Sequence, residues 1–301
     1  MCELLGISSK VHKDHSAILA EFFTHGKDNP HGFGLAEIDE NGIKVMKEPV
    51  RADESSQLKE KLTGPVDADI VIGHVRVATK GSVAPENTHP FTAEDESGTT
   101  WTLAHNGTIF GSDVLTGYFH KQEGTTDSER ILLYLTDRIN DAARKNGTAW
   151  KSDAVRKSDA ARISDRIQTV EDVIREITPG NKVNLLMSDG SLLYVHVNSD
   201  RGMYYLDDGD SAVFSTKPLC AAGGNEGGLE KDDTDDGVSR SQENRTASTD
   251  RSAGEVWKEV PLNTLMVYSS GQMIYRGCPH GNTFVETEDK MRYLFMDYSE
   301  I

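Results

Sequence analysis

Cys2 is the residue of this 301-residue chain with the most chemistry open to it. A small second side chain favours removal of Met1, which would leave a thiol and a free α-amino group on one residue. An α-amine titrates near neutrality, at about 7.7–8.0, against about 10.4 for lysine, so it can act as a base at cellular pH. A thiol beside such a base is an activated nucleophile. The competing reading is a cysteine packed into a first strand over Cys2–Ile7, since cysteine is often simply buried.

Three polar clusters offer partners, each with a plainer reading beside it. The first is Gly73-His74-Val75-Arg76-Val77-Ala78-Thr79-Lys80-Gly81, where an apolar run ends in charge. Arg76 could present a bidentate fork to a carboxylate, or could be a surface arginine. In the second, His105-Asn106-Gly107-Thr108, the Asn106 amide and the Gly107 backbone N–H could together form an oxyanion hole. The same residues could equally be an Asn-Gly turn between strands. The third is Thr126-Asp127-Ser128-Glu129, where Asp127 either caps a helix or receives a ligand ammonium.

The elements that must position these groups alternate irregularly. Strand signals cover Phe33–Ile38 and Ile43–Lys47, joined by a turn at Asp39-Glu40-Asn41-Gly42. Further runs are Ile70–Val77 and the short Trp101–Ala104. Helical periodicity covers Ser16–His25, Ser55–Leu62 and Asp127–Lys145. Another helix is expected from Thr169, with Asp172 completing a capping box, to Pro179-Gly180. From Val183 to Tyr275 the pattern reads as a meander of strands. Its interruption at 221–254 holds glycine, aspartate, serine and threonine with almost nothing to bury, which predicts a mobile acidic insertion within one domain over 2–301.

Composition removes several function classes. Lys plus Arg is 32 against 49 Asp plus Glu, a formal charge of −17, which argues against a nucleic-acid or anionic-membrane partner. No apolar run approaches the ~18 residues of a membrane span, and Lys10, His12, Lys13 and Asp14 interrupt any secretory signal. Three cysteines are too few for a disulfide framework and point to a reducing cytoplasm. Cys278-Pro-His280 has no second pair to complete a zinc site. No metal and no cofactor is expected.

Taken in order, Cys2, the Gly-His-Val-Arg-x-Ala-Thr strand end, Asn87-Thr88-His89-Pro90-Phe91, His105-Asn106-Gly107 and Thr126-Asp127-Ser128-Glu129 resemble class II glutamine amidotransferases, the N-terminal-nucleophile glutaminases. His31-Gly32-Phe33-Gly34 is similar to a segment of the stand-alone members. The likeness is tight from Cys2 to about Thr136 and looser beyond. It implies an α+β fold, the four-layer αββα sandwich of that superfamily. It also implies Cys2 as nucleophile with its α-amine as base, and Asn106 and Gly107 as oxyanion donors. Arg76 with Thr79 would hold the α-carboxylate of glutamine, Asp127 its ammonium, and His89 would support the pocket. His74 and His105 are expected to tie strands together. Larger members carry an arginine near the first helix-to-strand junction; Asn29-Pro30-His31-Gly32 supplies none. No length is left for a synthase, so ammonia would pass to a separate subunit or to water. Two alternatives stay open. One is a γ-glutamyl amidohydrolase acting on a small metabolite, which the absence of a co-purifying synthase would favour. The other is a non-catalytic binding module, against which the intact Cys2, Arg76, Asn106 and Asp127 argue.

Overall fold

The computed structural model describes residues 2–10, 13–145, 159–220 and 256–290. The segment 221–254, expected to be a mobile insertion, lies outside the described residues.

Two antiparallel sheets form the centre. In the first, β1 (Glu3–Ser9) runs between β10 (Ser211–Ser215) and β4 (Ile70–Val75). Outward from β4 lie β2 (Phe33–Asp39) and β3 (Gly42–Glu48); outward from β10 lie β9 (Tyr204–Asp207) and β11 (Lys258–Glu259). The second sheet has the order β13 (Gln272–Arg276), β12 (Thr264–Ser269), β8 (Leu193–Val197), β7 (Lys182–Ser188), β6 (Thr100–Thr108), β5 (Phe91–Glu94).

Successive side chains of a strand point to opposite faces, and both faces of these sheets are apolar. Leu5 and Ile7 of β1 join Leu19 and Phe22 of α1 (Ser16–Thr24) in one core. Leu4, pointing the other way, meets Leu186 and Val195 of the second sheet. On the far side, Val183, Leu185 and Met187 of β7 pack with Ile131 and Leu135 of α4 (Asp127–Lys145) and with Val170 and Ile174 of α5 (Asp159–Ile177). Helices, sheet, sheet and helices are therefore stacked, the αββα sandwich expected. Truncating a side chain such as Leu185, wholly enclosed between β7 and the helices, costs about 2–5 kcal/mol.

The structure corrects three expectations. α5 begins at Asp159, ten residues before Thr169. Thr169 lies mid-helix and donates to the Asp165 carbonyl at 2.8 Å, so no capping box operates there. Residues 183–275 are not one meander: β7, β8, β12 and β13 belong to the second sheet, β9, β10 and β11 to the first. Apolar alternation sets which face of a strand is buried but not which sheet it joins. Finally, the short strand at Trp101–Ala104 continues through Thr108, with Asn106 opposite Asn184 and Gly107 opposite Val183. The Asn-Gly turn is excluded, because β7 supplies ladder partners throughout.

Candidate active site

The register of β1 against β4 places Cys2 beside the end of β4, one step beyond the Glu3–Val75 pair. Val77 brackets the sulfur: its N–H donates to Sγ at 3.2 Å and Sγ lies 3.3 Å from its carbonyl oxygen. Burial pushes the Cys2 thiol up, while the Val77 amide and the Arg76 charge pull against it. The net direction is upward, so thiolate formation calls for a base.

Asn106 and Gly107 sit near the end of β6. Asn106 is 5% exposed, and its side chain makes no hydrogen bond among the described residues, as an uncommitted donor for a ligand oxygen would. Only glycine fits at 107, since a Cβ there would stand 2.0 Å from the Lys182 carbonyl oxygen and 2.3 Å from His105 Nε2. His105 fixes this stretch. Its Nε2 donates to the Lys182 carbonyl at 3.0 Å and its Nδ1 accepts from the Ser128 hydroxyl at 2.9 Å, tying β6 to β7 and α4. Burial lowers its pKa, and both nitrogens are occupied as a neutral ring would have them.

Arg76 is buried, and its guanidinium donates to the carbonyls of Lys80, Gly81 and Ser82 at 3.0–3.1 Å. It therefore shapes the loop after β4 and is no surface arginine. Thr79 in that loop is half-buried. Asp127 is the first residue of α4, 4% exposed, and its Oδ2 accepts the Ile109 N–H at 2.7 Å. His89 is enclosed between His74 and Phe91, with ring centroids 4.2 and 4.7 Å away, and neither ring nitrogen has a hydrogen-bond partner. Burial drives both imidazoles down, His89 well below the ordinary range and His74 to about 3. These groups share one field: Arg76 acts on Cys2, His74 and His89, and Asp127 acts on His105.

Beside this cluster opens a cavity of about 650 Å³. Cys2 and Asn106 both line it; Gly107, Arg76, Thr79, His89 and Asp127 do not. The arrangement offers a half-buried thiol and an amide donor lining one cavity, with a buried cation acting on the thiol and a buried carboxylate acting on His105 next to the amide. That combination can perform nucleophilic attack on an acyl carbon and hold the developing oxyanion.

Comparison with known proteins agrees. The profile of class-II glutamine amidotransferases matches residues 1–291. The chain belongs to this family. An uncharacterized protein of Methanocaldococcus jannaschii is 28% identical over 285 residues, 91% of this amidotransferase and 71% of that protein. The Escherichia coli K12 protein YafJ, whose own assignment as a glutamine amidotransferase is provisional, is 37% identical over 143 residues, 46% of this chain and 55% of YafJ. The fold is that of the glutamine phosphoribosylpyrophosphate amidotransferase from B. subtilis, with a TM-score of 0.56 at 16% identity. That match covers 91% of this chain and 48% of the other. A predicted glutamine amidotransferase from Pseudomonas aeruginosa gives 0.50 at 20% identity, over 91% of this chain and all of that one. The sandwich is thus of the N-terminal-nucleophile type. Among the described residues of the amidotransferase, no helix is long and apolar enough to cross a membrane.

Sequence reasoning missed the other polar residues of the cavity wall, among them Asn29, Asn184, Arg201 and Lys217. A signal existed for two of them. Asn29 stands in the segment where larger family members carry an arginine, and Lys217 lies in the part of the chain where the likeness is looser. Nothing in the pattern around Asn184 or Arg201 distinguishes them from other strand and turn residues.

Proposed function

We propose that this chain hydrolyses the γ-amide of glutamine, with Cys2 as the N-terminal nucleophile after loss of Met1. The observation that carries the reading is the cavity that the Cys2 thiol and the uncommitted Asn106 amide both line. The α-amine of Cys2 takes the thiol proton, which burial makes hard to lose unaided. Sulfur attacks the side-chain carbonyl carbon, and the oxyanion is received by Asn106 and the Gly107 N–H. Collapse breaks the C–N bond, the leaving nitrogen takes the proton back, and ammonia departs. Water then hydrolyses the thioester to glutamate and regenerates the thiol. Arg76 and Thr79 receive the substrate's α-carboxylate, Asp127 its ammonium, and His89 fills the wall behind them. Ammonia passes to a separate synthase or to water, within a single domain in the cytoplasm.

A glutamine analogue with an electrophilic side chain tests this directly. Labelling of Cys2 alone, with Cys220 and Cys278 untouched and Met1 missing from the intact mass, is the expected result. Labelling spread over Cys220 and Cys278, both exposed, would sink the assignment.

A further inference from the structure

Asn87 opens the Asn-Thr-His-Pro-Phe segment of the sequence pattern, yet it has no place in the chemistry described above. It closes a single short turn, Pro85–Asn87, and is 1% exposed. A buried amide must find partners for its polar atoms, and this one finds them on two exposed loop residues, Ser82 and Thr125. Its Nδ2 donates to the Ser82 carbonyl and to Ser82 Oγ, both at 3.1 Å, and to Thr125 Oγ1 at 3.2 Å. Its Oδ1 accepts the Thr125 N–H at 2.7 Å. A carbonyl only accepts and a backbone N–H only donates, so the orientation of the amide is settled.

The two loops belong to the two charged groups of the closed pocket. The Ser82 carbonyl that accepts from Asn87 also accepts Arg76 Nη1 at 3.0 Å, and the same guanidinium holds the Lys80 and Gly81 carbonyls. One oxygen thus joins the buried cation to Asn87. On the other side, Thr125 stands two residues before Asp127, the first residue of α4. Its turn is fastened to that helix by the Glu129 carboxylate, which accepts the N–H of Glu123 at 2.7 Å and of Gly124 at 2.9 Å. Behind Asn87, Lys47 Nζ donates to the Thr88 carbonyl at 3.0 Å. Packing leaves no slack in this bridge. A Cβ at Gly124 would stand 2.4 Å from Asn87 Oδ1, and one at Gly81 would stand 2.8 Å from Thr125 Oγ1 and 3.1 Å from the Asn87 amide. Glycine at both positions is what lets the loops close on Asn87.

On the glutaminase reading, on which this inference rests, Arg76 and Asp127 meet the two charged groups on the α-carbon of glutamine. Those groups are a fixed few bonds apart, so their receivers must be held at one spacing. Yet Arg76 follows a strand of the first sheet, and Asp127 opens a helix packed on the second. We propose that Asn87 is a positioning residue that sets this spacing by tying the 80–82 loop to the turn before α4. It acts through Arg76 and Asp127 and touches neither substrate nor Cys2. Without it the substrate would have to order the two loops on binding, which weakens affinity and leaves the chemistry at sulfur alone.

The test uses two variants of the purified full chain. Asn87→Ala removes both halves of the bridge. Asn87→Asp keeps an acceptor for the Thr125 N–H, loses the donors to Ser82, and serves where the alanine variant fails to fold. In either, KM for glutamine should rise by about ten- to a hundredfold, the scale of one charge-assisted contact, with kcat little changed. Labelling of Cys2 by the electrophilic glutamine analogue should slow by a similar factor. Labelling of Cys2 by iodoacetamide, which has no amino-acid end, should keep the wild-type rate. Equal slowing with both reagents would show general damage to the site and overturn the positioning role, as would an unchanged KM; both leave the glutaminase reading standing. A wild-type chain that neither turns over glutamine nor is labelled at Cys2 by the analogue would bring down that reading and this inference with it.

Discussion

The two sides of Cys2 are built in opposite ways. On one, Arg76, His89 and Asp127 are all under 5% exposed, and Arg76 and Asp127 are tied to backbone carbonyls and an amide. On the other is an open cavity of about 650 Å³ lined by the uncommitted amide of Asn106. A buried polar group with fixed partners holds one geometry, because every displacement leaves a group unsatisfied. The closed side therefore holds one fixed arrangement of charge, and the open side leaves a donor uncommitted.

The largest effect should come from the residue the two sides share. An uncleavable N-terminal extension turns the α-amine of Cys2 into an amide that accepts no proton near neutrality. Turnover should fall by about 10⁴-fold or more, as for loss of a nucleophile, with the thiol intact. Full activity from a protein whose tag is verified by mass would dissolve the boundary between the two sides, since Cys2 would no longer define it.

Asn106 comes next, as the open side's contribution to the transition state. Asn106→Ala should lower kcat by about 10²–10³ with little change in KM. A raised KM at constant kcat would make the residue a binding group and move the oxyanion elsewhere.

The closed side is probed by Arg76→Lys. An ammonium cannot reproduce the planar fork, so kcat/KM for glutamine should drop by about ten- to a hundredfold, carried mainly by KM. A fall in melting temperature with kinetics unchanged would show that Arg76 serves only the 80–82 loop.

The smallest effect is one of stability, and it belongs to the buried imidazoles. His74 and His196 are both held near 3 by burial, below the unfolded value of about 6.5. Between those values the unfolded chain binds the protons and the native chain does not. Stability should therefore be complete above about pH 6.5 and fall as pH drops towards 3, by up to about 1.4 kcal/mol per pH unit for each ring. Urea melts at pH 7, 6 and 5 measure the slope, and His74→Phe should reduce it. A slope unaffected by that change would mean His74 is charged in the native state.

The motifs that carry the family resemblance are legible in the sequence, because they lie at the ends of strands and at the start of a helix whose local patterns are strong. The run from Ile70 is apolar up to β4's end at Val75, which places Arg76 just past a buried strand; α4 begins where its periodicity begins, at Asp127. The β6 continuation was not legible. Asn106-Gly107 has the turn composition, and only β7, more than 70 residues away, supplies the ladder that keeps it extended. The start of α5 was missed because a plausible capping pattern at Thr169 competed with weaker signals upstream, and tertiary packing against α4 decided it.

By itself the sequence determined the chemical groups and their order, because a thiol, a guanidinium, an amide and a carboxylate are properties of single residues and short motifs. The layered fold class was implied by the family resemblance of those motifs, and the mixture of strand and helix signals permits it. Tertiary structure alone decided which sheet each strand of 183–275 joined, that Asn106 faces the same cavity as Cys2, and that Asn29 and Arg201 stand in its wall. Those facts depend on pairings between residues far apart in the chain. Their energies come from long-range burial and ladder hydrogen bonds, on which local composition is silent.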